Sequence, residues 1–476
     1  MRRLYVVILV FLSINAMAQK KGYEIEFNIA GCQPGTAILA YYYGDKQYIK
    51  DSTKIDESGR FTFKGDEPLD QGIYITVMPP DNKYFEVIID ADQQFTMNSK
   101  YAKPVKEMKV SGSEENKRFY SYLKFLETQK EKSTPFTKQA QQLQEADSVG
   151  YKDSEEFKEL QEKMAAVDEE VKDYKNKFID DNPDALLSKV FLASKDPDIP
   201  EAPVLENGKK DSTFTWRYFK DHFWDNVDFS DERLIRTPVY HSRLVRFMTK
   251  TIYQVPDSII VEASKLIEKT RKSEELFKYT VFWITSHFET SKQMGMDAVF
   301  VHMAKNYYMT GQAFWADSTT VAKIGERATK LSYSLIGNTA PNLIMKDTSG
   351  VFQILHAIQK DYTVVYFWDP DCGHCKKVTP KVKEFYDKFK EELDVEIYGV
   401  CTNKDEKDAW IEYINEHNLD WINVDDPEQK TAYKYLYDIY STPVIYLLDK
   451  DKNIIAKRLG AEDLENFIRH HKKKNS

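Results

Sequence analysis

The most constraining feature of the sequence is a continuous apolar run that leads into two closely spaced cysteines. Residues 363–368 carry no charge, as expected of a strand buried on both faces of a parallel sheet. The next segment ends in Cys372-Gly373-His374-Cys375, and apolar residues at helical spacing follow as far as Phe389. A second apolar run covers residues 395–400. The pattern predicts an α/β domain in which a Cys-x-x-Cys sequence joins a strand to a helix.

A Cys-x-x-Cys pair at such a junction favours thiol-disulfide chemistry. Unsatisfied N–H groups and the dipole at a helix N-terminus stabilise a thiolate, so we predict that Cys372 is the attacking nucleophile. Two intervening residues place Cys375 within one helical turn, where it can attack a mixed disulfide as the resolving thiol. We expect His374 to stabilise the Cys372 thiolate and Gly373 to keep the turn open.

Further motifs carry a resemblance to a known family. They are Gly337-x-x-Ala340-Pro341, Phe367-Trp368, Pro380, Ser441-Thr442-Pro443 ahead of the apolar residues 444–448, and Lys452-Asn453-Ile454-Ile455. With these motifs, residues 337–468 resemble the thioredoxin-fold domains of the TlpA/ResA-like group, which are exported thiol-disulfide oxidoreductases. The Cys-Gly-His-Cys tetrapeptide is also that of protein disulfide isomerase.

The resemblance implies a reaction and a set of partners. Pro443 is expected to follow a cis peptide bond and to face the two sulfurs, with Thr442, Trp368 and Asp371 as further active-site residues. The clients would be proteins with disulfides or thiols, which the pair reduces or isomerises, and a membrane thiol electron donor would keep the pair reduced. No cofactor and no metal are implied. The main alternative is an envelope binding or adaptor protein in which the redox domain is auxiliary.

Three positions depart from the family pattern. Val378 stands where ResA-like relatives carry a glutamate, Tyr366 stands where thioredoxin has a buried aspartate, and Asp371 replaces a common aromatic residue. The usual internal proton acceptors are therefore missing. Asp369 or Asp371 either takes the proton from the resolving thiol or is an exposed loop acid. Asp371 would also oppose formation of the nucleophilic thiolate, so the sequence leaves the net pKa of that thiol open.

Two other cysteines and two other chemistries have to be placed. Cys401 follows the second apolar run and is either a third redox thiol or a small buried residue, whereas Cys32 is expected to be structural unless it bridges two chains. A structural zinc site needs four ligands, and the sequence has no second Cys-x-x-Cys. Peroxide reduction on this fold would need Thr or Ser three residues before the nucleophile and Pro seven before it, where Asp369 and Val365 stand.

Upstream of the redox segment the hydrophobic period changes. Over residues 19–111 apolar and polar residues alternate between turn sequences, which predicts an antiparallel β-sandwich-like domain. Ser111 and Glu114 fit a capping box, and helical spacing then predicts an α-helical domain over residues 112–336. The thioredoxin-like domain completes a multidomain chain at residues 337–476.

Two aromatic and apolar stripes in the helical region allow alternative interpretations. Apolar residues between Phe157 and Phe178 repeat at alternating spacings of three and four, which indicates either an antiparallel hairpin with the preceding helix or a dimer-forming coiled coil. Trp216, Phe219 and Phe223 share one helix face. That face either packs in the core or lines a groove for a client peptide.

The N-terminus has the pattern of a secretory signal. Arg2 and Arg3 precede nine apolar residues, and Ala16-Met17-Ala18 provides a cleavage site, which predicts a signal peptide over residues 1–18. A membrane anchor would need about 20 apolar residues. We therefore expect a periplasmic or cell-envelope protein with no transmembrane segment after cleavage. The formal net charge of −9, with no basic block in the sequence, argues against nucleic acid as a partner.

Overall fold

A computed structural model gives the fold and describes residues 22–403 and 407–475. The chain forms two compact units, Met1–Phe247 and Met248–Ser476. The boundary between the units falls within the helical region expected over residues 112–336, so helices of that region occur in both units. The domain boundaries proposed from the sequence stay predictions.

The first unit begins with a β-sandwich. Its strands are β1 (Tyr23–Ala30), β2 (Gly35–Tyr43), β3 (Lys46–Ile55), β4 (Arg60–Gly65), β5 (Gly72–Met78), β6 (Lys83–Ile89), β7 (Gln94–Lys100) and β8 (Lys109–Ser111). Within the described residues they form two four-stranded sheets, in the orders β4-β1-β7-β8 and β3-β2-β5-β6. The predicted sandwich-like fold is confirmed. One pair departs from the antiparallel pattern, because β1 pairs in parallel with β7, from Glu24 opposite Gln94 to Ala30 opposite Lys100.

Aromatic side chains fill the space between the two sheets. The ring of Phe27 on β1 stacks on that of Phe61 on β4, with 4.9 Å between the ring centroids. The same ring lies 5.7 Å from that of Phe85 on β6, which belongs to the other sheet. All three rings are buried, and aromatic pairs of this kind contribute beyond the area they bury. The period-two alternation of the sequence therefore builds the core of the sandwich.

Helices follow the sandwich in the first unit. They are α1 (Glu114–Ala146), α2 (Glu155–Asp181), α3 (Leu186–Ser194), α4 (Phe214–His222) and α5 (Pro238–Arg246). The cap of α1 is Ser113, whose hydroxyl accepts from the N–H of Asn116 at 3.2 Å, whereas the predicted cap, Ser111, ends β8. On the predicted aromatic face, Phe223, which follows α4, is fully buried, whereas Trp216 and Phe219 are half-buried, so core packing is shown for Phe223 alone of these three residues.

Helices α1 and α2 form an antiparallel hairpin. The ring of Phe125 stacks on that of Tyr174 at 4.3 Å, and further along α1 the amide of Gln129 donates to Glu170 at 3.0 Å. Residue numbers rise along α1 as they fall along α2, so the two helices run in opposite directions. Tyr174 of the heptad seam thus packs on α1 of the same chain, as the hairpin interpretation expects.

The second unit starts with helices and ends with the redox domain. The helices are α6 (Pro256–Thr270), α7 (Glu274–Glu289), α8 (Asp297–Met303) and α9 (Ser318–Ser332). The redox domain has strands β9 (Ile344–Asp347), β10 (Phe352–Ile354), β11 (Tyr362–Trp368), β12 (Val395–Cys401), β13 (Ile422–Asp425), β14 (Val444–Leu448) and β15 (Ile454–Lys457). Its helices are α10 (Cys375–Phe389), α11 (Lys407–Glu416), α12 (Tyr433–Leu436) and α13 (Leu464–Asn475).

The strands of the redox domain form one sheet in the order β10-β9-β13-β12-β11-β14-β15. Strands β11, β12 and β13 are parallel, whereas β14 and β15 continue the sheet in antiparallel fashion. Every residue of β11 is buried. Tyr366 and Trp368 face a core shared with α10, and Val365 and Phe367 face a second core on the opposite side. The predicted thioredoxin-like α/β fold is confirmed.

Two expectations concern the ends of the chain and the membrane. The predicted signal peptide at residues 1–18 lies outside the described residues. Among the helices that the structure describes, none is both long enough and apolar enough to cross a membrane.

Candidate active site

The two cysteines lie in the turn between β11 and α10. The helix begins at Cys375, with His374 as its cap, so Cys372 lies just before the helix and not at its first residue. The carbonyl of Cys372 accepts from the N–H of Lys376 at 3.0 Å, which places the nucleophile one turn ahead of the helix. The N–H groups of His374 and Cys375 are thereby directed at the Cys372 sulfur. N–H groups at a helix terminus stabilise a thiolate.

The cysteines differ in burial and in their neighbours. Cys372 is half-buried, and its thiol donates to the carbonyl of Thr442 at 3.5 Å. Cys375 is 1% exposed, and its sulfur accepts from the N–H of Asp369 at 3.4 Å. The peptide bond between Thr442 and Pro443 is cis. Only one sulfur of the pair is thus accessible from solvent.

Their pKa values are shifted in opposite directions. Burial alone would raise the pKa of the Cys372 thiol, but hydrogen bonds from the Cys375 N–H, the Thr442 side chain, the Cys375 thiol and the His374 N–H outweigh it. The pKa of Cys372 therefore lies below its ordinary value. Burial raises the pKa of Cys375 to about 11, and the neighbouring Cys372 sulfur adds to the effect. The pair therefore has one thiol that ionises readily and one that does not.

Other residues expected at the site are placed around the pair. The side chains of His374 and Asp371 are exposed, and His374 acts on the Cys372 sulfur through its backbone N–H. A Cβ on Gly373 would meet nothing within 4 Å, so the turn has room for a larger residue there. Trp368 is fully buried and stacks on Tyr366 beneath the pair.

The proton acceptor positions of the family hold no carboxylate. Val378 is half-buried on α10, and Tyr366 is fully buried with its hydroxyl 2.8 Å from that of Thr379. Burial raises the pKa of Tyr366 above its ordinary value, so this phenol stays protonated. Asp369 is half-buried, and its carboxylate accepts from the N–H of Asp371 at 2.8 Å and the amide of Asn403 at 3.4 Å.

Asp369 and Asp371 therefore occupy different surroundings. The N–H of Asp369 contacts the buried sulfur, whereas Asp371 is exposed and its carboxylate lies 4.0 Å from the ammonium of Lys376. A cation at that distance offsets part of the negative charge next to Cys372. Of the two acids, only Asp369 contacts Cys375, and it does so through its backbone N–H, whereas its carboxylate contacts the N–H of Asp371 and the amide of Asn403.

The sequence did not single out Thr379, Tyr413 or Asn403. Thr379 follows Cys375 by one helical turn, a spacing that puts both on one face of α10 and could have been noticed. The ring of Tyr413 lies 5.3 Å from that of Trp368, and Asn403 contacts Asp369. Both come from later parts of the chain, where no local pattern marks them.

The two remaining cysteines are both buried. Cys401 is buried on β12 directly opposite Trp368, and burial raises the pKa of its thiol to about 12. Cys32 is buried in the core of the sandwich. None of the four cysteines is in a disulfide, and the described residues contain no cluster of side chains that could hold a metal ion.

Family comparisons cover three parts of the chain. Residues 336–457 match the AhpC/TSA family. Residues 23–119 match a domain of unknown function, DUF4369, and residues 154–333 match another, DUF5106. The redox domain and both upstream regions are thus assigned to separate families.

Individual relatives match mainly the redox domain. The thiol-disulfide oxidoreductase ResA of Bacillus thuringiensis (strain Al Hakam) is 29% identical over 138 residues, which are 28% of this chain and 77% of ResA. A solved domain of a possible thiol-disulfide isomerase from Cytophaga hutchinsonii ATCC 33406 is 42% identical, covers 29% of this chain and 95% of that chain, and has a TM-score of 0.28. A thioredoxin-like protein from Bacteroides caccae ATCC 43185 is 20% identical, covers 58% of this chain and 99% of that chain, and has a TM-score of 0.44.

These findings define the class of the protein. The chain is a multidomain enzyme of the thiol-disulfide oxidoreductase class, with a thioredoxin-fold redox domain. Within that class its redox domain is similar to ResA, and its upstream regions are domains of unknown function, as the resemblance implied.

The pKa values predict an order of alkylation. At about pH 7.5, iodoacetamide should label Cys372 well before Cys375, because the thiolate is the reactive form and Cys375 is both buried and protonated. The rate at Cys372, measured by peptide mass spectrometry across pH in the Cys375→Ser variant, should rise with pH and level off below the ordinary thiol pKa. Equal labelling rates at Cys372 and Cys375 in the unmodified chain would contradict the asymmetry.

The surroundings of the two acids predict different effects on resolution. Asp369→Asn should slow the attack of Cys375 on a mixed disulfide by roughly a hundredfold, the lower end of general-base effects. Asp371→Asn is the matched control and should resolve at nearly the rate of the unmodified chain, since its carboxylate points to solvent and to Lys376. The decay of a mixed disulfide at Cys372, followed by mass, measures both. A normal rate in Asp369→Asn would remove Asp369 from the mechanism.

Proposed function

We propose that this chain acts in the cell envelope as a thiol-disulfide oxidoreductase that reduces or isomerises disulfides of client proteins. Cys372 is the attacking nucleophile and Cys375 the resolving thiol. A membrane thiol donor returns the pair to the reduced form. The observation that carries the proposal is the asymmetry of the pair, with a half-buried sulfur of lowered pKa beside a buried sulfur of raised pKa.

The first step forms a mixed disulfide. The Cys372 thiolate attacks one sulfur of a client disulfide, so the S–S bond of the client breaks and a bond from Cys372 to the client forms. The other client sulfur leaves as a thiolate and takes a proton from solvent. The Cys375 and His374 N–H groups, which stabilise the Cys372 thiolate before the attack, lower the pKa of the sulfur that must react.

The second step releases the client. Cys375 loses its proton and attacks the sulfur of Cys372, which forms the bond between Cys372 and Cys375 and frees the second client thiol. Two electrons have then passed from the pair to the client. Because the pKa of Cys375 is about 11, this step needs a proton acceptor. We assign that role to the carboxylate of Asp369, the residue whose backbone N–H contacts the Cys375 sulfur. The raised pKa also keeps Cys375 from competing in the first step.

Reduction or isomerisation is favoured over peroxide reduction by the residues around the nucleophile. Thr or Ser would be needed three residues before Cys372, and Asp369 stands there. Val365, at the place where a proline would be needed, is fully buried in β11 and paired with Tyr398 of the neighbouring strand. The AhpC/TSA match therefore agrees with the fold, and the Cys-x-x-Cys pair favours thiol-disulfide exchange as the chemistry of the site.

Location in the envelope rests on the predicted signal peptide at residues 1–18 and on the similarity to ResA. Four cysteines in a chain of 476 residues do not form a disulfide framework, so the close pair is the feature that an oxidising compartment would act on. An external donor is then needed to keep it as a dithiol.

The mechanism predicts opposite results for the two cysteines. Cys372→Ser should abolish disulfide exchange with protein clients, because no thiolate remains to attack. Cys375→Ser should accumulate a disulfide between Cys372 and its client, because resolution is lost. Non-reducing gels and mass analysis of captured complexes measure both, with Cys401→Ser as the matched control that keeps full activity. Residual turnover in Cys372→Ser would reject the mechanism.

The same variants separate the enzyme from the adaptor alternative. In an adaptor, partner recognition would reside in the upstream domains, and Cys372→Ser would retain the activity of the unmodified chain in the cell. A cleft of about 540 Å³ in the first unit, between the sandwich and the helices, offers a surface for such recognition. Loss of cellular function in Cys372→Ser, with unchanged protein levels, excludes a purely auxiliary role for the redox domain.

The reduction potential of the pair should lie between the values of a reductase and an isomerase. A titration in glutathione buffers, with Cys32 and Cys401 replaced by Ser, should give a two-electron transition between about −270 mV and about −180 mV. The position within this range distinguishes a reductase, near the lower value, from an isomerase, near the upper one. A midpoint near about −120 mV, typical of a strong oxidant, would contradict reduction and isomerisation alike.

A further inference from the structure

Helix α9 lies outside the thioredoxin-like domain in sequence but contacts the segment that leads to Pro443. The guanidinium of Arg327 on α9 pairs with the carboxylate of Asp438 and donates to the hydroxyl of Tyr440 at 2.6 Å. The same guanidinium lies over the ring of Tyr440, 5.2 Å from its centroid. One side chain therefore holds two positions of this segment, which we call the client loop (residues 438–443).

The client loop is fixed at its first residue. Asp438 is 2% exposed and has a φ of +53°, a left-handed backbone conformation. Arg458, which follows β15, donates to its other carboxylate oxygen at 3.1 Å. A buried carboxylate is tolerated when cations and hydrogen bonds satisfy it. Arg327 and Arg458 together supply both.

The other end of the client loop touches the nucleophile. The carbonyl of Thr442 accepts from the thiol of Cys372 at 3.5 Å. Tyr440 lies two residues earlier and is 65% exposed, although Arg327 holds its hydroxyl. Because two residues span at most about 7 Å, the backbone of Tyr440 lies within that distance of Thr442, whose carbonyl contacts Cys372.

The helical segment that carries Arg327 is itself tied to the sheet. The ammonium of Lys457 on β15 pairs with Asp297 on α8 and donates to the carbonyl of Ser334, just after α9, at 2.8 Å. The side chain of Lys457 is 7% exposed, so this pair is buried. Arg327 therefore acts from a fixed helix, which distinguishes it from a mobile surface arginine.

We propose that Arg327 is a positioning residue for reaction with polypeptide clients, and that Tyr440, which it holds, is a specificity-determining contact for the client chain beside its disulfide. This inference rests on the proposed exchange with protein disulfides. A small disulfide reaches Cys372 without contacting Tyr440, whereas an extended polypeptide passes over the exposed ring. Arg327 therefore governs the binding of polypeptide substrates and leaves the chemistry at the sulfur unchanged.

The test compares a polypeptide disulfide with a small one. The full chain and its Arg327→Met variant are assayed for reduction of insulin and of 5,5′-dithiobis(2-nitrobenzoate). Arg327→Met should raise KM for insulin about fivefold, the effect of losing one hydrogen-bonded anchor. The rate with the small disulfide and the alkylation profile of Cys372 against pH should not change, which separates positioning from a general loss of structure.

Matched variants sharpen the comparison. Lys323→Met removes an exposed cation from the same helix and should behave like the unmodified chain. Arg327→Lys retains the charge and should restore part of the lost insulin binding. Tyr440→Ala should raise KM for insulin to a similar extent, and combining it with Arg327→Met should add little, because both changes remove the same contact. If Arg327→Met fails to fold, Arg327→Met with Asp438→Asn removes both charges, and its KM for insulin should still be raised.

Each result has one meaning. An unchanged KM for insulin in Arg327→Met, or an equal loss with both substrates, overturns the inference. Fully additive effects of Arg327→Met and Tyr440→Ala overturn the link between the two residues. Failure of the unmodified chain to reduce either substrate, at the level of its Cys372→Ser variant, is instead a failure of the proposed function.

Discussion

The buried strand β11 is the constraint on which the redox site depends. Its residues face two separate cores in alternation. If the strand shifted by one residue relative to its neighbours, every side chain would move from one core to the other. Pairing then fixes what lies at its end: Phe367 is opposite Val444, the residue after Pro443, and Trp368 is opposite Cys401. The turn with the two cysteines and the client loop consequently meet at one edge of the sheet.

The side chains of Cys372 and Cys375 are chemically identical but lie in different surroundings. Cys372 is reached by solvent and by N–H donors, whereas Cys375, the first residue of α10, lies in the buried core that contains Tyr366 and Trp368. Desolvation disfavours a thiolate, and donated hydrogen bonds favour it, so the same group ionises at different pH three residues apart. The order of the two reaction steps therefore follows from burial. The family's buried carboxylates are not needed to produce this asymmetry, although the second step still requires a proton acceptor.

What the sequence predicted well was local in the chain. Strand β11, the Cys-x-x-Cys turn and the strands of the sandwich all depend on neighbouring residues. They are recognised by an apolar run, by the spacing of two cysteines and by period-two alternation, respectively. The exact start of α10 at Cys375 could not be read from the sequence, because His374 at the cap position makes no side-chain capping hydrogen bond. Ser111 was taken for a cap where Ser113 is used, since both stand ahead of acidic residues. The parallel pairing of β1 with β7 brings together Glu24 and Gln94, which no local pattern could reveal.

The contacts of α9 show why family boundaries and structural units need not coincide. The AhpC/TSA match begins at residue 336 and the DUF5106 match ends at residue 333, yet the compact unit begins at Met248 and contains both Arg327 and Asp438. Those two residues are 111 positions apart, and each is an ordinary charged residue in its own segment. Asp438 is a buried carboxylate in the client loop and needs a cation to compensate its charge. Arg327 supplies that cation from α9, so the fold of the redox domain depends on a helix that precedes it. The loop next to Cys372 is thus held by a residue outside the stretch that matches the AhpC/TSA family, and the proposed role of Arg327 in polypeptide binding follows from that contact.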